Sequence, residues 1–170
     1  ATVMGRVAYL SGVSGDALSL AGDAYVEIES SPLLTLSTLT IGVWVRVDFI
    51  PTSGRVGLID HSDGYSLFVH SDGSVRGLVS QLVGEVSSGP NTINPGAWHH
   101  VALASDGNEA WIFLDGVVRD VGTVGTPTPS DDRVLIGAND PDMDPPDEYF
   151  TGELDELHIV AAALLEVCAQ

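Results

Sequence analysis

The stretch "LTIGVWVRVDF", residues 39–49, decides the fold class. Leu39, Ile41, Val43, Val45, Val47 and Phe49 share one face of an extended chain, and Thr40, Gly42, Trp44, Arg46 and Asp48 share the other. Period-two alternation of this length predicts a β-strand with one face in a core. Shorter runs repeat the pattern: "YVEIE" (25–29), "RVGLIDH" (55–61), "YSLFVHS" (65–71), "SVRGLVSQ" (74–81), "HHVALAS" (99–105), "AWIFLDG" (110–116), "DRVLIGA" (132–138) and "GELDELHIV" (152–160). Between them stand "SDG" at 62–64, 71–73 and 105–107 and "LDG" at 114–116. An Asp-Gly pair accepts the positive φ that tight hairpins require, so residues 62–78 read as three strands joined by two hairpins. Many short strands with frequent turn signals predict an all-β protein, an antiparallel two-sheet β-sandwich of jelly-roll type. No amphipathic helix of ordinary length precedes residue 161, and "AAALLEVCAQ" (161–170) offers a short C-terminal helix. No repeat or linker divides the chain, so residues 1–170 read as one domain.

Composition narrows the partners. The chain has 170 residues, 44% of them hydrophobic, which suffices for a core and argues against disorder. Its six basic residues are all arginine, against 24 Asp and Glu, for a net charge of −18. Such a surface repels phosphate backbones and anionic membranes, which argues against nucleic acid and membrane partners. It attracts divalent cations and favours solubility in salt. Cys168 is the single cysteine; it cannot form an intrachain disulfide, has no companion motif and reads as inert. No apolar run is long enough for a membrane span, and Ala1 opens a sequence without a signal peptide, as expected of a mature protein or an excised module.

The acidic residues concentrate late in the chain. Between Asn139 and Glu156 lie eight carboxylates and three prolines, with no Lys or Arg. Calcium takes six to eight hard oxygens, and "NDPDMDPPDE" (139–148) supplies Asn139, Asp140, Asp142, Asp144, Asp147 and Glu148. The spacing of Asp140, Asp142 and Asp144 imitates the start of an EF-hand loop. That reading fails, because Pro145 stands where glycine is required, Thr151 stands at the twelfth position and no helices flank the loop. The prolines still restrict how far the loop relaxes. Asp155 shares a face with Leu157 and Ile159 in the expected last strand, so it needs a cation or hydrogen-bond donors. His99 and His100 are adjacent and diverge, and His61, His70 and His158 lack a metal-binding companion spacing. Neither a serine elbow nor a phosphate-binding glycine loop is present.

Five segments follow one another in a recognisable order: "GDALSLAGDAYVEI" (15–28), "LTIGVWVRVD" (39–48), "PGAWHHVALASDGNEAWIFLDGV" (95–117), "VLIGA" (134–138) and "FTGELDELHIVAAAL" (150–164). In order and spacing they resemble the laminin-G-like and pentraxin-like domains of the concanavalin A-like fold, over nearly the whole chain. The resemblance implies a jelly roll with a non-catalytic, often calcium-dependent, ligand-binding or adhesive role. It also implies a calcium site in the segment after the "IG" strand, here Asn139, Asp140, Asp142 and Asp144, facing Asp63 of an earlier hairpin. Pro141 and Met143 interrupt the pentraxin run of acids and amides there. Related sandwiches hold a second, structural ion, for which the matching residues are Asp23 and Asp155. Glucanases of the same fold alternate two Glu and an Asp on one strand. Here Glu153 and Asp155 are followed by Leu157 and His158 where the second Glu belongs, so the carboxylate pair that hydrolysis needs is broken. Trp44, Trp98 and Trp111 lie within strand patterns and are expected in core or inter-sheet packing.

The expectation is therefore a calcium-bridged module, not an enzyme, working outside the cytoplasm or at a cell surface. Its target would be a glycan or another polar or anionic surface ligand. The competing expectation is a structural or adhesive module of a larger surface protein, independent of metal and forming a homo-oligomer.

Overall fold

The computed structural model describes residues 1–62, 64–80, 84–125, 132–140 and 146–165. Two antiparallel sheets of seven strands face each other. The first sheet runs β1 (Thr2–Met4), β4 (Tyr25–Ile28), β13 (Val134–Ile136), β6 (Arg55–His61), β7 (Tyr65–His70), β8 (Val75–Val79), β9 (Val86–Ser87). The second runs β12 (Val117–Thr123), β11 (Glu109–Leu114), β10 (His99–Ser105), β5 (Leu39–Val47), β14 (Thr151–Val160), β3 (Asp16–Ala21), β2 (Val7–Ser11). The one helical turn among the described residues is a 3-10 turn at Pro32–Leu34. Residues 161–165 are not helical, and the rest of the expected C-terminal helix, with Cys168, lies outside the described residues.

The alternation in β5 does what the sequence predicts. Leu39, Ile41, Val43, Val45 and Val47 are at most 1% exposed and join Leu58, Ile59, Leu67, Val69, Leu103, Ile112 and Val134 in one core between the sheets. Burial of this apolar surface is the main stabilising term. Phe49 departs from the expectation: the strand ends at Val47, and Phe49 is 58% exposed beyond it. The turn after β11 is a two-residue hairpin in which Asp115 (φ 51°) and Gly116 (φ 75°) both take positive φ, as a type I′ turn requires.

Two bulges set side-chain direction. In β6 the register slips between Gly57 and Ile59. In β14 it slips between Asp155, opposite Trp44, and His158, opposite Gly42, with Glu156 at φ 49°. The extra residue corrects the expected face of Asp155. Leu157 and Ile159 pack against the core, whereas Asp155 lies on the outer face with Trp44.

Candidate functional site

The candidate site is built on the outer face of the first sheet, where the chain leaving β13 folds back over β6. Gly57 permits the approach, since a Cβ there would lie 2.3 Å from the Ala138 carbonyl oxygen. The Gly57 N–H donates to the Glu148 carbonyl (2.9 Å) and the Gly137 N–H to the Leu58 carbonyl (3.1 Å), so the β6 bulge takes up both ends of the returning segment. Asn139 and Asp147 exchange backbone hydrogen bonds of 3.0 and 3.2 Å and pinch the base of the acidic loop. Asp140 (φ 64°) and Glu148 (φ 47°) adopt left-handed backbone on either side. Both residues are in the region where non-glycine side chains cost energy, which marks a shaped loop rather than a slack one.

Within this frame a carboxylate that the sequence reading passed over becomes central. Asp60 is 5% exposed and accepts the Asp140 N–H at 2.9 Å. Burial pushes its pKa up to about 7, against the opposing pull of the Asp140 N–H and the Arg55 charge; the charges of Asp140 and Glu148 push it further up. Arg55 Nε donates to Glu148 Oε2 (2.7 Å), which also accepts from Asn139 Nδ2 (2.6 Å). Among the described residues, Arg55 thus forms its ion pair with Glu148 and acts on Asp60 only through its charge. Asn139 is itself buried, at 4% exposure. Asp60 was legible in principle, because in "LIDHSDG" it lies on the strand face opposite the core residue Ile59. Of the expected ligands, Asn139 and Asp140 are brought together here, while Asp63, Asp142 and Asp144 lie outside the described residues. Among the described residues no group of three or more His, Cys, Asp or Glu is arranged to hold a metal.

His61 and Tyr65 sit on the core side at the end of the same hairpin, with ring centroids 5.0 Å apart. Both are 1% exposed, and His61 Nδ1 and Nε2 and the Tyr65 hydroxyl lack a well-formed hydrogen bond. Burial lowers the His61 pKa; the charge and backbone of Asp132 oppose this, although Asp132 does not close a well-aligned bond to the ring.

The structure does not bring Asp23 and Asp155 together. Asp155 Oδ2 accepts the Ser14 N–H (2.9 Å) and Oδ1 the Glu156 N–H (2.8 Å), so backbone donors satisfy it. Asp23 is exposed in the turn after β3, beyond Ala21, which pairs with Thr151. Four strand positions separate that pairing from Asp155, roughly 13 Å. The glucanase-like carboxylates are likewise committed elsewhere: Glu153 is 4% exposed and forked onto Arg46 by two 2.7 Å hydrogen bonds, and Glu156 is exposed at the bulge.

The tryptophans also depart from expectation. Trp44, Trp98 and Trp111 are half-buried and not in the inter-sheet core. Trp44 pairs with His100, and Trp111 with Ala104, on the outer face of the second sheet. Arg46 stacks over the Trp98 ring at 5.5 Å.

Comparison with known proteins agrees with this architecture. Domain 4 of a GH43 extracellular arabinanase from Geobacillus stearothermophilus, solved with arabinotriose, superposes with a TM-score of 0.77 at 20% identity, covering 99% of this chain and 87% of that one. A heptameric SAP-like pentraxin from Limulus polyphemus gives 0.60 at 18% identity, over 85% of this chain and 73% of that one. Domains LG4-5 of the mouse laminin alpha1 chain give 0.64 at 17% identity, over 87% of this chain and 43% of that one. At these identities the likeness is one of fold. No curated protein matches the sequence. A laminin-G family model matches residues 20–166, and on that match the chain belongs to the concanavalin A-like lectin/glucanases superfamily.

Proposed function

We propose that this protein is a non-catalytic recognition module that binds glycans outside the cell through calcium held at the loop over β6. The observation that carries the reading is Asp60, a buried carboxylate beside Asp140 with its pKa raised to about 7. A carboxylate whose charge is disfavoured chiefly by burial gains most when a divalent cation is placed beside it. Asp60, Asp140 and the amide oxygen of Asn139 offer hard oxygens of the right chemistry. Asp63, Asp142 and Asp144 would complete the shell in this reading. Bound there, calcium would offer its remaining coordination positions to ligand hydroxyls or carboxylates, and so let a chain of net charge −18 hold an anionic or polar partner.

The residues of this chain do the rest. Arg55 and Asn139 together fix the Glu148 carboxylate, and the Asn139–Asp147 pinch fixes the loop base. The arabinanase domain solved with arabinotriose and the other glycan-bound neighbours of this fold, among them a sialidase module with sialyllactose, support a saccharide as the class of ligand. Calorimetric titration of chelator-stripped protein with calcium, followed by a glycan array with and without calcium, tests the reading. Calcium binding in the millimolar range or tighter, with a raised melting temperature and calcium-dependent array signals, is the expected result. Calcium that neither binds nor stabilises ends it.

A further inference from the structure

The outer face of the second sheet carries a second feature, unrelated to the acidic loop. A sheet face turned to solvent in so acidic a protein would be expected to bear charge. The middle of this face instead bears rings. Trp44 and His100, directly opposite on β5 and β10, meet at a tilt of 55° with centroids 5.3 Å apart. Trp98 lies one step along, under the Arg46 guanidinium. His158 is exposed and leans over Gly42, where a Cβ would sit 2.4 Å from its ring. Ala102, opposite Gly42, keeps the floor low.

Several polar groups around these rings are already committed. Arg46 is locked to Glu153, Asp155 to two backbone N–H groups, and Asp115 to the His99 ring (2.9 Å) and the His100 N–H (2.9 Å). His100 Nδ1 is shielded from water and without a hydrogen-bond partner. Residues 161–165 close one end, where the Thr40 hydroxyl donates to the Ala162 carbonyl (2.7 Å) and accepts the Leu164 N–H (2.9 Å).

We infer that the shelf formed by Trp44, Trp98, His100 and His158 is a binding site for neutral saccharides that works without calcium. Indole faces suit the C–H face of a pyranose or furanose ring, and Nε2 of the exposed His158 ring and the outward N–H groups of Arg46 suit its hydroxyls. An uncharged ligand suits the shelf because its Arg46 guanidinium is matched by the Glu153 carboxylate, and burial holds His100 below its ordinary pKa and so neutral at pH 7. With a net charge of −18 around it, an anionic sugar is repelled. The inference shares with the calcium reading only the class of ligand.

The test titrates the intact chain, in EDTA, with arabinotriose, xylotriose, cellotriose, laminaritriose and chitotriose, and with sialyllactose as the anionic arm. Tryptophan emission and calorimetry are read together. The expected result is saturable binding of at least one neutral trisaccharide in EDTA, weakened roughly tenfold or more by Trp44→Ala. His158→Ala, at an exposed side chain, weakens it several-fold. Should Trp44→Ala lose its fold, His158→Ala decides alone. The inference is overturned if no neutral sugar binds in EDTA, if sialyllactose alone binds, or if the variants at 44 and 158 bind as the parent does. The calcium reading fails on different evidence, the absence of calcium binding, so the two outcomes are separable.

Discussion

Asp60 gives the sharpest quantitative prediction. Its carboxyl titrates at about 7 in the folded protein, against 3.8 as the ordinary value. The folded state therefore holds this proton more tightly than the unfolded chain does. The stabilisation this provides is complete below pH about 4 and is lost as the pH rises towards 7. A difference of about 3 pH units corresponds to at most about 4 kcal/mol, and structural relaxation would leave about half of that. Asp60→Asn keeps an oxygen for the Asp140 N–H and removes the charge. In EDTA at pH 8 the variant should be stabler than the parent by about 2 kcal/mol, a melting shift of roughly 4–8 °C for a chain of this size. At pH 4 the two should melt together. Calcium should then reverse the order at pH 8, because the parent gains a ligand that the variant lacks. Thermal melts monitored by near-ultraviolet circular dichroism, at both pH values and with both chelator and calcium, read all four states. A variant that is less stable than its parent at pH 8 in EDTA would refute the reasoning.

Three further outcomes are expected. Gly57→Ala should push the Ala138 carbonyl off β6 at a cost of about 1–3 kcal/mol in urea unfolding, with weaker calcium binding in calorimetry. Arg46→Met should cost about 3–5 kcal/mol by leaving Glu153 charged and buried, whereas Glu153→Gln, which strands only the more exposed partner, should cost less; equal losses in urea unfolding would contradict this asymmetry. Asp72, which accepts from the Ser74 hydroxyl (2.5 Å), the Ser74 N–H (3.0 Å) and Arg76, has its pKa held well below the usual carboxylate range, the Ser74 hydroxyl contributing most. Its contribution is thus present above pH about 4 and lost as the pH falls further, so Asp72→Asn should lower the melting temperature at pH 7 and flatten the acid limb of the stability profile.

How much could be read from the sequence depended on whether a strand has one dry face. β5, β6 and β10 announced themselves because alternation records the difference between core and solvent, and the limits of β6 and β10 fell where the pattern placed them. β2 and β12 did not, because as sheet edges they expose Tyr9, Leu10, Val117, Val118 and Val121 and so carry little contrast between faces. The direction of Asp155 was invisible for another reason. Alternation assumes an unbroken register, and the bulge at Glu156 moves the rest of the strand by one face. The tryptophans misled because a strand pattern fixes which residues share a face but not whether that face is inside; Trp44 alternates faithfully with Val43 and Val45 and for that reason points out. The acidic loop was seen as a cluster of charge, but its anchor, Asp60, lies 80 residues earlier and is joined to it only by tertiary structure.

The placement of β14 bears on how the protein is made. This strand, ending at Val160, is an interior strand of its sheet, hydrogen-bonded to β5 on one side and β3 on the other. As the chain leaves a ribosome, β3 and β5 emerge early and β10 can join β5, but the gap between β3 and β5 stays open until residue 160 has appeared. At roughly 5–20 residues per second that wait is on the order of ten seconds, with two unpaired strand edges and one face of the core exposed. Synthesis that halts before residue 151 would leave two half-sheets that cannot close, so a stalled or truncated product should be a substrate for chaperones and proteases rather than a smaller working module.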